Sequence, residues 1–246
     1  GLQMAGKRPH PLQDVGDEDD DEEREELECL FSGWEADEVI PGLFLGGFSS
    51  VMDVPRILSL NVTRAVSLLE NPQDQANITS YWLDKQPDFD LRRLQLVVDD
   101  ESSADILSLM EGAVTFIHKE MQQKKNILVH CAAGVSRSTT IVVAYLVRFR
   151  EMSLKDAFEH VQGKRRGVMP NRGFWRQLRA WEVAERKTAS YTLDELPGSI
   201  MFEQEAIERI VSRFEARRKR DAEPGAGGAK CEAEPPRDSK RPRSQV

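Results

Sequence analysis

The 246-residue sequence has little cysteine, and no long apolar run occurs in it. Its three cysteines, Cys29, Cys131 and Cys231, lie far apart, which leaves neither a disulfide framework nor a Cys-x-x-Cys metal site. No stretch of about eighteen apolar residues is present, and the N-terminal GLQMAGKRPHPLQD lacks the apolar segment of a secretory signal. We therefore expect a soluble intracellular protein with free thiols and no membrane partner.

Charge is unevenly distributed, so the net charge of −8 describes the ends of the chain more than its middle. Acid is concentrated in 17-DEDDDEEREELE-28, and basic clusters occur at 217-RRKR-220 and 240-KRPR-243. Polar, charge-rich segments cannot bury enough apolar surface to fold, which predicts disorder in residues 1–36 and in the tail from 221. The basic clusters resemble nuclear import signals and predict cytoplasmic and partly nuclear residence, although solvated tail charge is the alternative.

Between these ends, short apolar runs alternate with helical patterns, which predicts an α/β domain with a central sheet flanked by helices. The segment between residues 69 and 94 is polar, contains Pro and Asn, and is interpreted as a connection. Strands are predicted within 39–47, 63–69, 94–98 and 127–130, and helices within 49–61, from 105, within 138–150, from 153 and after 171.

A further helix is predicted at about 200–219, beyond the main domain. Its apolar residues follow the i, i+3, i+4, i+7 pattern of one helix face. They are Ile207, Ile210, Val211 and Phe214. The sequence leaves open whether this stripe packs on the domain or binds a partner.

The stretch 129-VHCAAGVSRSTT-140 places a thiol and a guanidinium at opposite ends of a short turn between a strand and a helix. Unsatisfied amides at a helix N-terminus and the helix dipole both favour an anion. The backbone N–H groups of the turn can add to them by curling into an anion-binding nest. These amides belong to Ala132, Ala133, Gly134, Val135 and Ser136.

The two ends of this turn carry complementary chemistry. Nearby donors and a helix N-terminus favour the thiolate form of Cys131, which is a nucleophile. Arg137 can hold two phosphate oxygens with one planar guanidinium and stabilise them in the transition state. A single buried cysteine most often serves only as a small apolar residue. The whole arrangement of His, Cys, five residues, Arg and Ser between a strand and a helix would rarely arise by chance. The turn therefore predicts attack by sulfur on phosphorus.

The sequence HCAAGVSRS resembles the signature of the cysteine-dependent protein tyrosine phosphatases, specifically their dual-specificity branch. Three other stretches, VIPGLFLGG from 39, AYLVR from 144 and PNRGFWRQL from 170, resemble further parts of that family, so the resemblance covers roughly residues 37–185. It implies a single α/β domain and a two-step hydrolysis through a phosphocysteine, without metal or cofactor. The predicted organisation is an acidic segment 1–36, a phosphatase domain 37–187 and a C-terminal extension 188–246.

The family has an aspartate general acid on a loop about thirty residues before the cysteine, since the leaving alkoxide or phenoxide needs a proton. Here 97-VVDDESSADI-106 offers several carboxylates. The family spacing to Ile106 favours Asp100 over Asp99, while capping of the next helix is the interpretation for Asp105. Without the cysteine motif, a solvated acidic loop would be the better interpretation.

Three further residues receive roles at the site. Ser138 can donate a hydrogen bond to the sulfur when the intermediate is hydrolysed, although it can also simply begin a helix. His130 is expected to orient the turn and not to transfer protons. Asn171 can brace the turn from outside, as the resemblance implies, but Pro-Asn is also an ordinary helix start.

The substrate class follows from what surrounds the cysteine. No second basic residue lies between Cys131 and Arg137, which disfavours inositol phospholipids, and the long insertions of strict tyrosine phosphatases are absent. A shallow cleft for phosphotyrosine, phosphoserine and phosphothreonine in proteins is expected, as in the small atypical members. The alternatives are a non-catalytic phosphoprotein-binding scaffold and an RNA 5′-phosphatase. Nucleic acid is disfavoured because 164-KRR-166 is the only nearby basic candidate.

Overall fold

The structure is a computed structural model that describes residues 35–191 and 204–222, with side chains from 208 to 220 in the second range. Several sequence predictions fall outside the described residues: the disorder of residues 1–34 and of the tail from 223, the basic cluster 240–243, and Cys29 and Cys231. The predicted domain bounds therefore stay predictions. In the part that is described, no helix is long and apolar enough to cross a membrane.

A mixed five-stranded sheet forms the centre of the domain, with strand order β1-β2-β5-β3-β4. β1 and β2 are antiparallel, and the other neighbouring pairs are parallel. The strands are β1 Ala36–Ile40, β2 Leu43–Gly46, β3 Val62–Leu69, β4 Arg92–Val97 and β5 Asn126–His130. The segment 39–47, expected as one strand ending in a turn, instead folds as a hairpin because Gly42 reverses the chain with φ +83°.

Helices cover both faces of this sheet, which confirms the predicted α/β class. The described helices are α1 Phe48–Met52, α2 Val54–Ser59, α3 Pro72–Lys85, α4 Leu107–Gln122, α5 Arg137–Phe149, α6 Leu154–Lys164, α7 Arg172–Arg186 and α8 Gln204–Ala222. The single helix expected within 49–61 is divided into α1 and α2, because the side chain of Asp53 caps a new helix by accepting from the Arg56 amide.

Helix α3 was expected as a polar connection, and that expectation is wrong. Asn71 caps it by accepting a hydrogen bond from the Gln73 amide, and Pro72 follows at a position where its missing N–H costs nothing. Its buried side includes Ile78 and Trp82, and the Trp82 indole donates to the carbonyl of Val51 at 2.9 Å. The apolar face is narrow, so the polar majority of the segment conceals the helical period.

The core has two parts, one on each face of the sheet. Alternation along β3 places Val66 and Leu68 in the larger cluster, with α4 to α8, and Ala65 and Leu69 in the smaller one. Helix α5 is buried nearly all round, as its sequence predicts. Because β5 lies between β2 and β3, the residue after β5 emerges from the middle of the carboxyl edge of the parallel strands.

Helix α8 packs on the domain, which answers the question that its sequence left open. Phe214 is buried, and its ring centroid lies 5.4 Å from that of Trp181 on α7. Arg218 forms an ion pair with Glu185 at 2.7 Å and another with Glu111 at 3.3 Å. The basic cluster 217–220 therefore belongs to this helix and not to an unstructured tail.

Candidate active site

The loop 131–137 connects the buried strand β5 to the buried helix α5, and Cys131 lies at its base. The cysteine is only 1% exposed. Its sulfur accepts a hydrogen bond from the Gly134 amide at 3.2 Å and lies 3.2 Å from the Ser138 hydroxyl. The turn therefore curls around the sulfur, and the two donors can both stabilise negative charge on it.

Arg137 begins α5, and its guanidinium is directed to the same edge of the sheet. Its side chain is 4% exposed. Nη1 lies 3.0 Å from a carboxylate oxygen of Glu70 and 3.2 Å from the carbonyl of Val98. Nε lies 3.5 Å from an oxygen of Asp100 and makes no hydrogen bond. A buried guanidinium with an unused donor is suited to an additional anionic oxygen.

The inner side of the 131–137 loop packs against the junction of β2 and α1. Gly134 has φ +69°, and a Cβ there would lie 2.5 Å from the carbonyl carbon of Gly46. The Phe48 amide donates to the carbonyl of Ala132 at 2.8 Å. Gly134 is thus required both by its backbone conformation and by this close approach.

The outer side of the loop is held by Arg165, a contact that the sequence did not predict. Its Nε donates to the carbonyl of Gly134 at 3.0 Å, while Nη1 contacts a carboxylate oxygen of Asp37 at 2.9 Å and the carbonyl of Glu35 at 2.6 Å. This residue is the centre of the basic triplet that was the candidate surface for RNA. In the structure its guanidinium binds protein oxygens.

Asp100 is the acidic residue of the segment 97–106 that the structure brings to the loop. One carboxylate oxygen accepts from the Ser136 hydroxyl at 2.6 Å and from the Asn171 side-chain amide at 2.9 Å. The Asn171 side chain also caps α7 by accepting from the Phe174 amide at 3.0 Å. Both interpretations of Asn171, brace and helix cap, therefore describe contacts that this side chain makes.

The other two aspartates of this segment are placed differently. Asp99 is exposed, whereas the Asp100 side chain is 30% exposed. Asp105 accepts a hydrogen bond from the Ser108 amide at 3.0 Å, as a residue at a helix start does. Of the three, Asp100 makes the contacts with the 131–137 loop.

His130 is fully buried at the end of β5. Nε2 lies 2.7 Å from the Ser67 hydroxyl, and Nδ1 lies 3.4 Å from the carbonyl of Cys131. Burial lowers the pKa of His130 from 6.5 to about 3, opposed by the Cys131 carbonyl bond and assisted by the positive charge of Arg93. The ring is therefore neutral at neutral pH and suited to orient the backbone before the loop.

Together these contacts bring to one loop a thiol that accepts from a backbone amide, a guanidinium and a carboxylate. Such a set can bind a tetrahedral oxyanion, supply a nucleophile and supply a proton. Glu70, Arg165 and Gly46 were missed by the sequence analysis. Glu70 had a detectable signal, since it directly follows β3, and the carboxyl ends of neighbouring parallel strands meet at one edge.

Residues 43–184 match the protein family described as the dual specificity phosphatase, catalytic domain. The chain belongs to this family. The matched range contains the whole 131–137 loop, Asp100 and Asn171. The resemblance of the HCAAGVSRS motif to the dual-specificity branch is thereby confirmed.

Curated relatives agree with this assignment. The chain is 35% identical over 143 residues to the dual specificity protein phosphatase MPK-4 of Drosophila melanogaster, covering 58% of this chain and 35% of the relative. It is 32% identical over 167 residues to dual specificity protein phosphatase 15 of Mus musculus, covering 68% and 66%. The chain thus spans less than two thirds of the length of these relatives.

Solved structures share the fold. A human tyrosine phosphatase-like serine/threonine/tyrosine-interacting protein is 31% identical, with a TM-score of 0.53, and the match covers 61% of this chain and 97% of that one. The crystal structure of DUSP15 is 26% identical, with a TM-score of 0.53, and the match covers 75% and 97%. The domain therefore has the architecture of small members of the family.

Proposed function

We propose that this protein hydrolyses phosphotyrosine, phosphoserine and phosphothreonine in proteins through a phosphocysteine intermediate. The observation that supports this most is the position of the Cys131 sulfur, buried at the base of the loop and 3.2 Å from the Gly134 amide. A thiol that was only a packing residue would not need amide and hydroxyl donors around it. Family membership supports the same class of reaction.

In the first step, the Cys131 thiolate attacks phosphorus and an S–P bond forms while the P–O bond to the substrate breaks. The departing oxygen takes a proton from Asp100. Loop amides and the Arg137 guanidinium hold the remaining phosphoryl oxygens, whose charge is greatest in the transition state. Displacement of the Glu70 oxygen from Arg137 Nη1 accompanies phosphate binding, because the same donor serves both, whereas Nε has no hydrogen bond to give up.

In the second step, Asp100 accepts a proton from water, and the water oxygen attacks the phosphocysteine. The S–P bond breaks, the electron pair returns to sulfur, and inorganic phosphate leaves. The Ser138 hydroxyl, 3.2 Å from the sulfur, donates a hydrogen bond to the departing thiolate. Asp100 is suited to both steps because Ser136 and Asn171 hold it over the loop.

The substrate class follows from the loop itself. Residues 132–136 are small or uncharged, so the loop offers no cation for additional phosphates on an inositol ring. The guanidinium of Arg165, which bonds the outer side of the loop, does not change this. Protein phosphoesters remain the substrates that this site fits best.

Hydrolysis of p-nitrophenyl phosphate and of phosphotyrosine and phosphothreonine peptides by wild type and Cys131→Ser tests the proposal. We expect turnover by wild type and a loss of roughly 10⁵-fold or more in the variant, as for removal of other enzymatic nucleophiles. Cys231→Ser is the matched control and should retain full activity. Equal rates for wild type and Cys131→Ser would eliminate the mechanism.

The alternative function is a phosphoprotein-binding scaffold without turnover, and one observation supports this alternative. A structural relative carries the description phosphatase-like and interacting protein. A scaffold would bind a phosphopeptide in wild type and release no phosphate over hours. The enzyme would release phosphate and would retain the peptide only when the cysteine is replaced.

A further inference from the structure

The guanidinium of Arg165 connects the loop after β5 to the start of β1. Nε donates to the carbonyl of Gly134 at 3.0 Å, and Nη2 donates to the carbonyl of Ala133 at 3.4 Å. Nη1 donates to the carbonyl of Glu35 at 2.6 Å and to a carboxylate oxygen of Asp37 at 2.9 Å. All three nitrogens of one planar group are thus in use, and the proposed mechanism assigns this residue no role.

Each loop carbonyl that Arg165 binds belongs to a peptide unit with an N–H at its other end. A trans peptide is planar, and its carbonyl and N–H groups point in opposite directions. In one unit the carbonyl is that of Ala133, bonded to Arg165. The N–H of the same unit belongs to Gly134 and donates to the Cys131 sulfur at 3.2 Å. The arginine and the nucleophile are therefore bonded to opposite ends of one rigid unit.

The next peptide unit, between Gly134 and Val135, is oriented in the same way. Its carbonyl accepts from Nε of Arg165, so its N–H is directed to the side of the loop away from the guanidinium. The proposed mechanism places the phosphoryl oxygens on that side. Gly134 has φ +69° and no Cβ, so the two peptide units beside it can rotate at low steric cost. Arg165 supplies an outside restraint on that rotation.

Backbone donors hold the carbonyls on either side of these two central units. The carbonyl of Ala132 accepts from the Phe48 amide at 2.8 Å, and that of Val135 accepts from the Met169 amide at 2.9 Å. These donors do not depend on any side chain, whereas the donors to the two central carbonyls are side-chain atoms of Arg165. A substitution at Arg165 therefore releases the central units and leaves both ends of the loop bonded.

Arg165 is itself oriented by the start of β1. The Asp37 carboxylate pairs with Nη1 at 2.9 Å, and the pair is partly shielded from water because the Arg165 side chain is 16% exposed. Glu35 and Asp37 both precede residue 43, where the match to the phosphatase catalytic domain begins. The restraint on the loop therefore includes a segment that lies before the matched range.

We propose that Arg165 is a positioning residue for the proposed reaction, with Asp37 as its anchor. Arg165 keeps the N–H groups of the two central peptide units directed at the sulfur and at the phosphoryl oxygens. The inference rests on the proposed function and adds to it two residues that act through the loop backbone. If Arg165 only joined β1 to the loop, its loss would lower stability and leave the chemistry of the thiol unchanged.

The test compares hydrolysis of p-nitrophenyl phosphate by the full chain and by its variants Arg165→Met and Arg165→Lys. Methionine lacks a donor, and lysine keeps the charge but not the planar fork that reaches two carbonyls. We expect kcat to fall roughly 10-fold in both, between the effect of one hydrogen bond and that of an oxyanion donor. Arg166→Met, the same change at the next and exposed residue, is the matched control and should retain full activity.

Alkylation of Cys131 by iodoacetamide supplies a readout that a purely structural role would not change. Loss of the aligned amide weakens its hydrogen bond to the thiolate, so the profile of alkylation rate against pH should shift to higher pH in Arg165→Met. Inorganic phosphate should protect the thiol about 3- to 10-fold less well, because the loop donors are no longer aligned. Circular dichroism and urea denaturation establish that each variant is folded.

Asp37→Asn provides a second test if replacement of Arg165 unfolds the domain. The Asp37 side chain is 42% exposed, and asparagine keeps a neutral acceptor for Nη1, so the fold should persist. We expect kcat to fall about threefold, within the range for one partly exposed ion pair. The two substitutions act on one chain of contacts, so the double variant Arg165→Met/Asp37→Asn should be no slower than Arg165→Met.

Three results would overturn the inference. One is a folded Arg165→Met variant with the kcat of wild type. Another is an Arg165→Lys variant with full activity, which would assign the effect to charge alone. The third is a loss of kcat with an unchanged alkylation profile and unchanged protection by phosphate, which would assign Arg165 to the fold only.

Failure of the proposed function is distinguishable from failure of this inference. It would appear as no hydrolysis of p-nitrophenyl phosphate by wild type. Alkylation of Cys131 and its protection by inorganic phosphate, compared between wild type and Arg165→Met, then still test whether Arg165 positions the loop.

Discussion

The 131–137 loop and the acid segment, residues 99–106, face the same site but are held by different kinds of contact. Backbone carbonyls of the loop are bonded on several sides: that of Ala132 by the Phe48 amide, that of Gly134 by Arg165 and that of Val135 by the Met169 amide. Both flanking elements are buried. The position of Cys131 is therefore fixed by several hydrogen bonds to different parts of the domain.

The acid segment depends on fewer and mostly side-chain contacts. Asp100 is held by Ser136 and Asn171, and the later part of the segment by Gln177, which donates to the carbonyl of Ala104. Residues 101–103 between these points are exposed. The difference indicates that the nucleophile is rigidly placed while the acid can be displaced without disturbing the loop. Substitutions in the two regions should therefore change the activity and stability of the protein in different ways.

The largest effect is expected within the rigid loop, for Arg137→Lys. Lysine keeps the positive charge but cannot hold two oxygens in one plane, so kcat should fall roughly 10²- to 10³-fold. Steady-state kinetics with p-nitrophenyl phosphate measure this. Arg172→Lys, at an exposed position at the start of α7, is the control and should change nothing. A loss of kcat below fivefold in Arg137→Lys would show that a positive charge alone is enough to stabilise the phosphoryl oxygens.

Next in size is Asp100→Asn, which tests the acid segment. Asparagine fits the space beside Ser136 and Asn171 but cannot deliver a proton, so kcat for phosphothreonine peptides should fall about 10²-fold. The loss should be smaller with p-nitrophenyl phosphate, whose leaving group needs less protonation. Asp99→Asn, one residue away and exposed, is the matched control. A larger loss in Asp99→Asn would reassign the acid.

Gly173→Ala tests whether the acid segment can be moved while the loop stays in place. The new methyl group meets the carbonyl of Ser102, and relief of this overlap should cost about 1–3 kcal/mol of unfolding free energy. Urea denaturation measures the cost. The rate of Cys131 alkylation by iodoacetamide should remain that of wild type, while kcat for peptides falls.

Gly163→Ala is the control for this substitution, since nothing lies within 4 Å of a Cβ at Gly163 in α6. It should stabilise the protein by about 0.5–1 kcal/mol through helix propensity. If both alanine variants are equally stable, the contact between Gly173 and Ser102 does not constrain the segment.

The smallest effect concerns His130, on the strand side of the loop. Its pKa is lowered from 6.5 to about 3 by burial, so the unfolded chain binds a proton at this site that the folded chain rejects. The contribution of the buried neutral ring to the free energy of unfolding is fully present above pH 6.5, and it is lost progressively as pH falls toward 3. Between pH 7.5 and 5.5, wild type should therefore lose about 1.4 kcal/mol more than His130→Gln. Equal losses in urea denaturation at the two pH values would contradict the buried neutral ring.

The sequence alone predicted the parts of this protein that depend on local order. The order of a strand, Cys131, a glycine turn and Arg137 at a helix start predicted a turn that curls around the thiol, and the structure has such a turn. Apolar runs likewise predicted β3, β4 and β5, since a buried strand needs a continuous apolar stretch. Helix α3 and the β1–β2 hairpin were missed because a narrow buried face and a two-residue turn leave weak periodic signals.

Contacts between residues distant in the sequence were decided by the tertiary structure. Arg165 reaches Gly134, Glu70 reaches Arg137, and α8 closes a cleft on the segment that follows Asp100. The basic triplet 164–166 and the stripe on α8 have the same local pattern whether they face solvent, a partner or the domain itself. The local sequence determines that the nucleophile and the loop donors are neighbours, because they are a few residues apart in one covalent chain. Which side chains complete the site depends on the strand order and on helix packing, because only these bring remote residues within hydrogen-bond distance.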